Sequence, residues 1–215
     1  MTTITPRQAK RIDLKAAQQL GISTLVMMEN AGIRIADFVL EIFKKKSNKD
    51  IAVFCGKGNN AGDGLVVSRQ LLCQGIDVDT FLIKAGGSLS PVAGENLKIL
   101  KRLTKKIRQI KTKKDLEAIN LSSYSILIDA IFGIGLKGRV EGIIKEVIQR
   151  MNSSKRTIVS IDIPSGLDAN RGSVLGIAIK ANYTLTLIAP KRGLLINQGP
   201  RFTGKLIVKH IGFPW

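Results

Sequence analysis

The sequence predicts an α/β domain in which a parallel sheet is covered by helices on both faces. Short, near-continuous apolar runs such as IAVFC (51–55) and TIVSID (157–162) alternate with segments of helical periodicity. Strands that read as unbroken apolar runs are buried on both faces, the condition of a parallel sheet between helix layers. Several runs end in glycine, asparagine and aspartate, where such a sheet turns its chain into helices. With 215 residues and 44% hydrophobic content, the chain is expected to form one domain over 1–215, without repeats, low-complexity tracts or an interdomain linker.

The elements follow in order. Thr5-Pro6-Arg7-Gln8 opens the first helix: Thr5 is the N-cap, Pro6 takes the first helical position, and Gln8 reaches back to close a capping box. This helix runs to about Leu20, where Gly21 stops it. Leu25, Met28, Ile35, Val39 and Ile42 recur at helical spacing, so a second helix covers Leu25–Phe43, before a basic loop KKKSNKD (44–50). Strands are expected at 51–55, 78–83 (VDTFLI), 125–132 (SILIDAIF) and 157–162. Helices Asn60–Gln74, Pro91–Leu103 and Glu141–Met151 lie between them. YTLTLI (183–188) and KLIVKHI (205–211) add two strands at the end.

The formal net charge of +18 suggests an anionic partner. Much of it is local: Lys98, Lys101, Arg102, Lys105, Lys106, Arg108, Lys111, Lys113 and Lys114 occur without an intervening acid. A solvated helix face and its following loop is the favoured reading, since no aromatic residue interrupts the stretch to stack a nucleic-acid base. Nucleic-acid binding is therefore not favoured. Cys55 and Cys73 lie in apolar segments without C-x-x-C spacing and are expected as buried free thiols. The N-terminus lacks a signal-peptide core, and no apolar run approaches the roughly 18 residues of a bilayer span, so a cytoplasmic protein without membrane association is expected.

FCGKGNNAGDGL (54–65) resembles a phosphate loop in its glycines, but it lacks the lysine followed by Ser/Thr at the helix start that such a loop needs. A dinucleotide fingerprint also fails, because the acid that would hold the ribose belongs at the end of the next strand. Asp77 and Asp79 lie at that strand's start, and Lys84 follows its end. In open α/β sheets ligands sit beyond the carboxyl ends of the strands, and parallel strands would bring three polar ends to one rim. They are the Gly56–Gly64 turn, Asp129 with the glycines at 133, 135 and 138, and Asp162 with Ser165 and Asp168. Asn59, Asn60 and Asp168 could serve simply as helix caps. Asp129 and Asp162 each adjoin an apolar strand, where an uncompensated carboxylate would be costly to bury. Compensation comes from helix-cap hydrogen bonds, or from a cation held by oxygens of Asn60, Asp129 and Ser165, hard ligands unsuited to zinc. His210 is the sole histidine and lies in the last strand, and no Ser/His/Asp triad assembles around it.

Together MENAG (28–32), CGKGNNAGDG (55–64), DAIFGIGLKG (129–138), DIPSGLDA (162–169) and APKRG (189–193) resemble the YjeF N-terminal domain family, the NAD(P)H-hydrate epimerases. The resemblance covers essentially the whole chain. It implies a Rossmann-like three-layer α/β/α domain, with a mostly parallel sheet, that interconverts the R and S forms of NADHX and NADPHX. These are reduced cofactors hydroxylated at C6 of the nicotinamide ring. By the same resemblance, the hydrate contacts Asn59, Asn60, Ala61, Gly62 and Asp63. It also contacts Gly133, Ile134, Gly135, Leu136, Lys137, Gly138 and Arg139, and Asp162. A potassium ion is held by Asn60, Asp129 and Ser165. Ala61 and Ile134 depart from the family's commoner glycine and small polar residue. A homodimer is expected, and a separate dehydratase would act on the S epimer. Inversion at C6 needs a proton donor and acceptor near the hydroxyl oxygen. Asp162 is the candidate, with Lys137 keeping it ionised or shuttling the proton. The competing expectation is a noncatalytic dimerisation or RNA-binding module of the same fold, which would have no physical need for the full polar set at the strand ends.

Overall fold

The computed structural model describes residues 2–43, 50–84 and 86–214, so the expected basic loop at 44–50 lies outside the described residues apart from Asp50. Helices α1 (Pro6–Gln19) and α2 (Thr24–Phe43) precede β1 (Asp50–Cys55), α3 (Asn59–Cys73), β2 (Val78–Ile83), α4 (Pro91–Leu103) and β3 (Ile107–Ile110). There follow α5 (Lys113–Glu117), β4 (Tyr124–Ala130), α6 (Gly142–Ser153), β5 (Thr157–Ile161), β6 (Tyr183–Leu187), α7 (Gly199–Thr203) and β7 (Lys205–Lys209). The first helix starts as expected: the Thr5 hydroxyl accepts from the Gln8 N–H, and the Gln8 side chain accepts from the Thr5 N–H.

Among the described residues the strands form one sheet in the order β3-β2-β1-β4-β5-β6-β7, with every pair parallel. Alternation along each strand divides the core between two faces. Ile51, Val53, Cys55, Ile126 and Ile128 pack with α2, α3 and α4, whereas Ala52, Phe54, Phe81 and Leu127 pack with α6 and the segment around α5. This is the three-layer α/β/α arrangement. The chain leaves β1 toward β2 and β3, then returns to lay β4 on the other side of β1. That reversal opens a crevice beyond the carboxyl ends of β1 and β4. No described helix is long and apolar enough to cross a membrane.

Five expectations change. The basic stretch holds a strand, β3, and the start of α5 rather than a loop alone. Arg108, which obscured the strand, pairs with Asp79 and lies 4.8 Å from the Phe81 ring centroid. The strand expected at 125–132 ends at Ala130, and the one expected at 157–162 ends at Ile161. Cys73 is exposed at the end of α3, while Cys55 is buried as expected. His210 is exposed just past β7.

Candidate active site

The crevice holds a cavity of about 790 Å³, within the range of small-molecule sites. Its walls come from the β1–α3 turn, the 131–141 loop, the ends of β5 and β6, and α1, which lies across the rim. Gly56 is required where β1 leaves the sheet, since a Cβ there would lie 2.1 Å from the Ile131 carbonyl oxygen. Ile4 ties α1 to the far side of the cavity, donating to the Pro190 carbonyl at 2.9 Å and accepting from the Arg192 N–H at 3.0 Å.

Asp129 is fully buried at the end of β4. Its Oδ1 accepts from the Ile131 N–H at 3.2 Å and the Ser165 hydroxyl at 2.5 Å. Its Oδ2 accepts from the Ser165 N–H at 2.9 Å and the Ser160 hydroxyl at 2.8 Å. Burial raises the carboxyl above its ordinary range, while the bonds from Ser165, Ser160 and Ile131 pull it down. Beside it, Asn60 in the first turn of α3 donates through Nδ2 to the Phe132 carbonyl at 3.0 Å. Its Oδ1 is buried without a hydrogen-bond partner. With Nδ2 committed to a carbonyl, Oδ1 can be satisfied only by a donor or a cation. The expected set of Asn60, Asp129 and Ser165 is thus brought together, with an orphaned oxygen that fits an oxygen-liganded cation. Among the described residues no group of three or more His, Cys, Asp or Glu could hold a metal, which leaves one carboxylate among neutral oxygens.

Asp162 terminates β5 at φ 65°, a left-handed conformation uncommon outside glycine. The Ile163 N–H bonds back to the Ile161 carbonyl at 2.8 Å, closing a three-residue turn around it. β6 ends alike, with Ile188 at φ 70° and an Ala189-to-Leu187 bond of 2.8 Å. These tight turns place Asp162 and Ile188 side by side on the cavity wall. Strain of this kind persists where the surroundings over-determine it and gathers at functional sites.

The expected pairing of Asp162 with Lys137 is corrected. Asp162 forms its ion pair with Lys191, a lysine just past the end of β6 that is only 3% exposed and itself lines the cavity. Lys137 lines the same cavity from an exposed position in the 131–141 loop. Asp63 and Asp13 also line the cavity. Burial, then Asp162, then Asp13 hold the Asp63 carboxyl well above the ordinary range, against the opposing pull of Lys191. Burial and Asp162 likewise raise Asp13. Lys10, Lys57, Lys137 and Arg139 are exposed at the rim of the same cavity. The interior is thus rich in carboxylates and the mouth in cations.

Most of the expected contact residues line this cavity: Asn59, Asn60, Asp63, Gly133, Ile134, Gly135, Leu136, Lys137, Arg139 and Asp162. Ala61, Gly62 and Gly138 are not among the lining residues. Ala61 and Gly62 are buried in the first turn of α3. A Cβ on Gly62 would lie 2.4 Å from the Met28 sulfur, so that glycine serves helix packing. Sequence reasoning missed Asp13 and Lys191. Asp13 carries no local signal, because only the return of α1 over the rim brings it to the site. Lys191 stands in APKRG beyond the carboxyl end of β6, where the rim rule could have found it.

The model of the family YjeF-related protein N-terminus matches residues 24–193. The chain belongs to this family. An NAD(P)H-hydrate epimerase of Elusimicrobium minutum is 35% identical over 217 residues, an alignment covering 100% of this chain and 97% of that protein. One of Lentilactobacillus buchneri is 34% identical, covering 97% and 94%. A bifunctional NAD(P)H-hydrate repair enzyme Nnr of Moorella thermoacetica is 36% identical over the whole chain, which spans only 41% of that protein's length. The crystal structure of yeast ynu0 superposes with a TM-score of 0.82 at 24% identity, covering 98% of this chain and 87% of that one, and shares the fold. The family's match ends at Gly193, two residues past Lys191, and omits α1 with Asp13.

Proposed function

We propose that this chain is an NAD(P)H-hydrate epimerase, interconverting the R and S forms of NADHX and NADPHX. The observation that carries the reading is the Asp162 carboxylate, set at a strained strand end in a cavity at the sheet's reversal point. Relatives bearing the epimerase name and matching along nearly their whole length support it. The carboxylate-rich interior suits the hydrated nicotinamide ring, with its neutral amide and C6 hydroxyl. The cationic mouth formed by Lys57, Lys137 and Arg139 suits the phosphates.

Inversion at C6 proceeds by loss of the hydroxyl and re-addition of water to the other face. The departing oxygen needs a proton, and the entering water must give one up. Asp162 serves one face: its carboxylate takes the proton of the water entering there and passes it to solvent, which protonates the hydroxyl departing from the other face. In the reverse direction Asp162 returns the proton to the hydroxyl that departs. Lys137, at the mouth, contributes electrostatically to ligand binding.

A potassium ion, as the resemblance implies, would be held by Asn60, Asp129 and Ser165, and the unpartnered Asn60 Oδ1 supports this. When bound it would supply charge compensation for the buried carboxylate. Asp129 and Ser165 themselves fix the Phe132 segment, whose N–H donates to the Ser165 hydroxyl at 2.8 Å, and so hold the 131–141 loop against α3.

The proposal includes a hydrate dehydratase that consumes the S epimer and a homodimeric state. Exposed Leu14, Leu20, Leu25 and Val26 on the first two helices support the latter. Light scattering at the 23.4 kDa monomer mass would refute the dimer. The epimerase reading is tested by supplying one purified epimer and following the approach to the mixture by chromatography.

A further inference from the structure

Oδ1 of Asp162 accepts from three donors: the Lys191 ammonium, the Leu187 N–H at 3.1 Å and the Thr186 hydroxyl at 3.3 Å. Among the described residues no donor reaches Oδ2. Lys191 is itself fixed, since its ammonium also donates to the Leu187 carbonyl at 2.9 Å and its backbone bridges to Ile4. A buried ammonium is retained only where it is paired and hydrogen-bonded. Three carboxylates line this end of the cavity, Asp13 from α1, Asp63 from α3 and Asp162, and the ammonium engages Asp162 alone.

We propose that Lys191 is a positioning residue: it pins Oδ1 of Asp162 to the end of β6 and so leaves Oδ2 as the oxygen that exchanges a proton with the ligand's hydroxyl. The inference rests on the epimerase reading and adds to it which oxygen reacts and what selects one carboxylate among three. The proton moves between Oδ2 and the hydroxyl oxygen at C6, and Lys191 keeps all of its own protons throughout.

The test compares the parent protein, Lys191→Met, Asp162→Asn and the double variant in turnover of a single hydrate epimer. Lys191→Met removes the charge and retains most of the side chain's bulk. Its kcat is expected to fall on the order of 10²-fold with KM changed less than about threefold. With the cation beside the reacting carboxylate gone, the acid limb of the kcat profile is expected to move to higher pH. Asp13 and Asp63 also face this carboxylate. If Lys191 acts only through Asp162, the double variant turns over as slowly as Asp162→Asn alone and no slower than about twofold below it. A purely structural lysine predicts a lower melting temperature with an unmoved acid limb, and that result overturns the proposal. So does a double variant whose loss is the product of the two single losses. Should Lys191→Met fail to fold, the double variant, which leaves no Asp162 charge unpaired, decides on that criterion. A parent protein without turnover overturns the epimerase reading and this inference together. Normal parent turnover with an unaffected Lys191→Met overturns this inference alone.

Discussion

Asp129→Asn preserves the shape of the buried carboxyl and changes only what its two ends can do. Each carboxylate oxygen accepts one backbone N–H, from Ile131 at 3.2 Å and from Ser165 at 2.9 Å. An amide has a single oxygen, so in either orientation its NH2 faces one of those N–H groups at a site with no solvent exposure. Two buried donors are then opposed, each costing about 1–3 kcal/mol when left unsatisfied. The expected loss is about 2–4 kcal/mol after relaxation, a large part of a typical total of roughly 5–15 kcal/mol. Asp129→Ala strips the acceptors from all four donors and should cost about 3–5 kcal/mol. Equilibrium urea unfolding at pH 7, with the m-value held common, measures both. A loss below about 1 kcal/mol for Asp129→Asn would refute the reasoning. It would mean that the carboxyl is protonated at pH 7 and already has one donor end and one acceptor end, as an amide does.

Replacing sodium with potassium should raise the melting temperature of the parent protein and leave that of Asp129→Ala unchanged; equal melting curves for the parent in both salts would remove the cation from the account. Asp162→Asn should retain hydrate binding and lose turnover on the order of 10²-fold or more, and normal turnover by the folded variant would end the catalytic assignment. The Asp63 carboxyl is raised by burial first, then by Asp162 and Asp13, so the folded state keeps a proton that the unfolded chain releases near its ordinary value of about 4. That contribution is complete below about pH 4 and is lost as pH rises through the raised value. The parent should therefore lose more stability between pH 5 and pH 8 than Asp63→Asn does, and parallel urea midpoints across that range would contradict the shift.

The sheet was legible because strands buried on both faces leave little room for polar residues. IAVFC and SILIDA read as strands without help from any neighbour. β3 escaped because an edge strand is buried on less of its surface, and IRQI at 107–110 can carry Arg108 against Asp79 and Phe81. The rim was legible for the same reason as the sheet: a carboxylate such as Asp129 stands out against an apolar run. The partner of Asp162 was not. Lys137 was inferred from a motif on the facing loop, whereas the pairing with Lys191 depends on how β6 ends beside β5, in two tight turns that the sequence does not announce. Asp13 depends on the path of α1 across the rim, a tertiary fact with no local trace.

The most direct test of the central claim is conversion of one hydrate epimer. Purified R form is incubated with the chain and the two epimers are resolved by chromatography against the spontaneous rate. The account predicts an approach to the R/S mixture much faster than the spontaneous one, proportional to protein concentration and abolished to the order of 10²-fold or more by Asp162→Asn. Conversion at the spontaneous rate by folded parent protein, in potassium as well as in sodium, would contradict it.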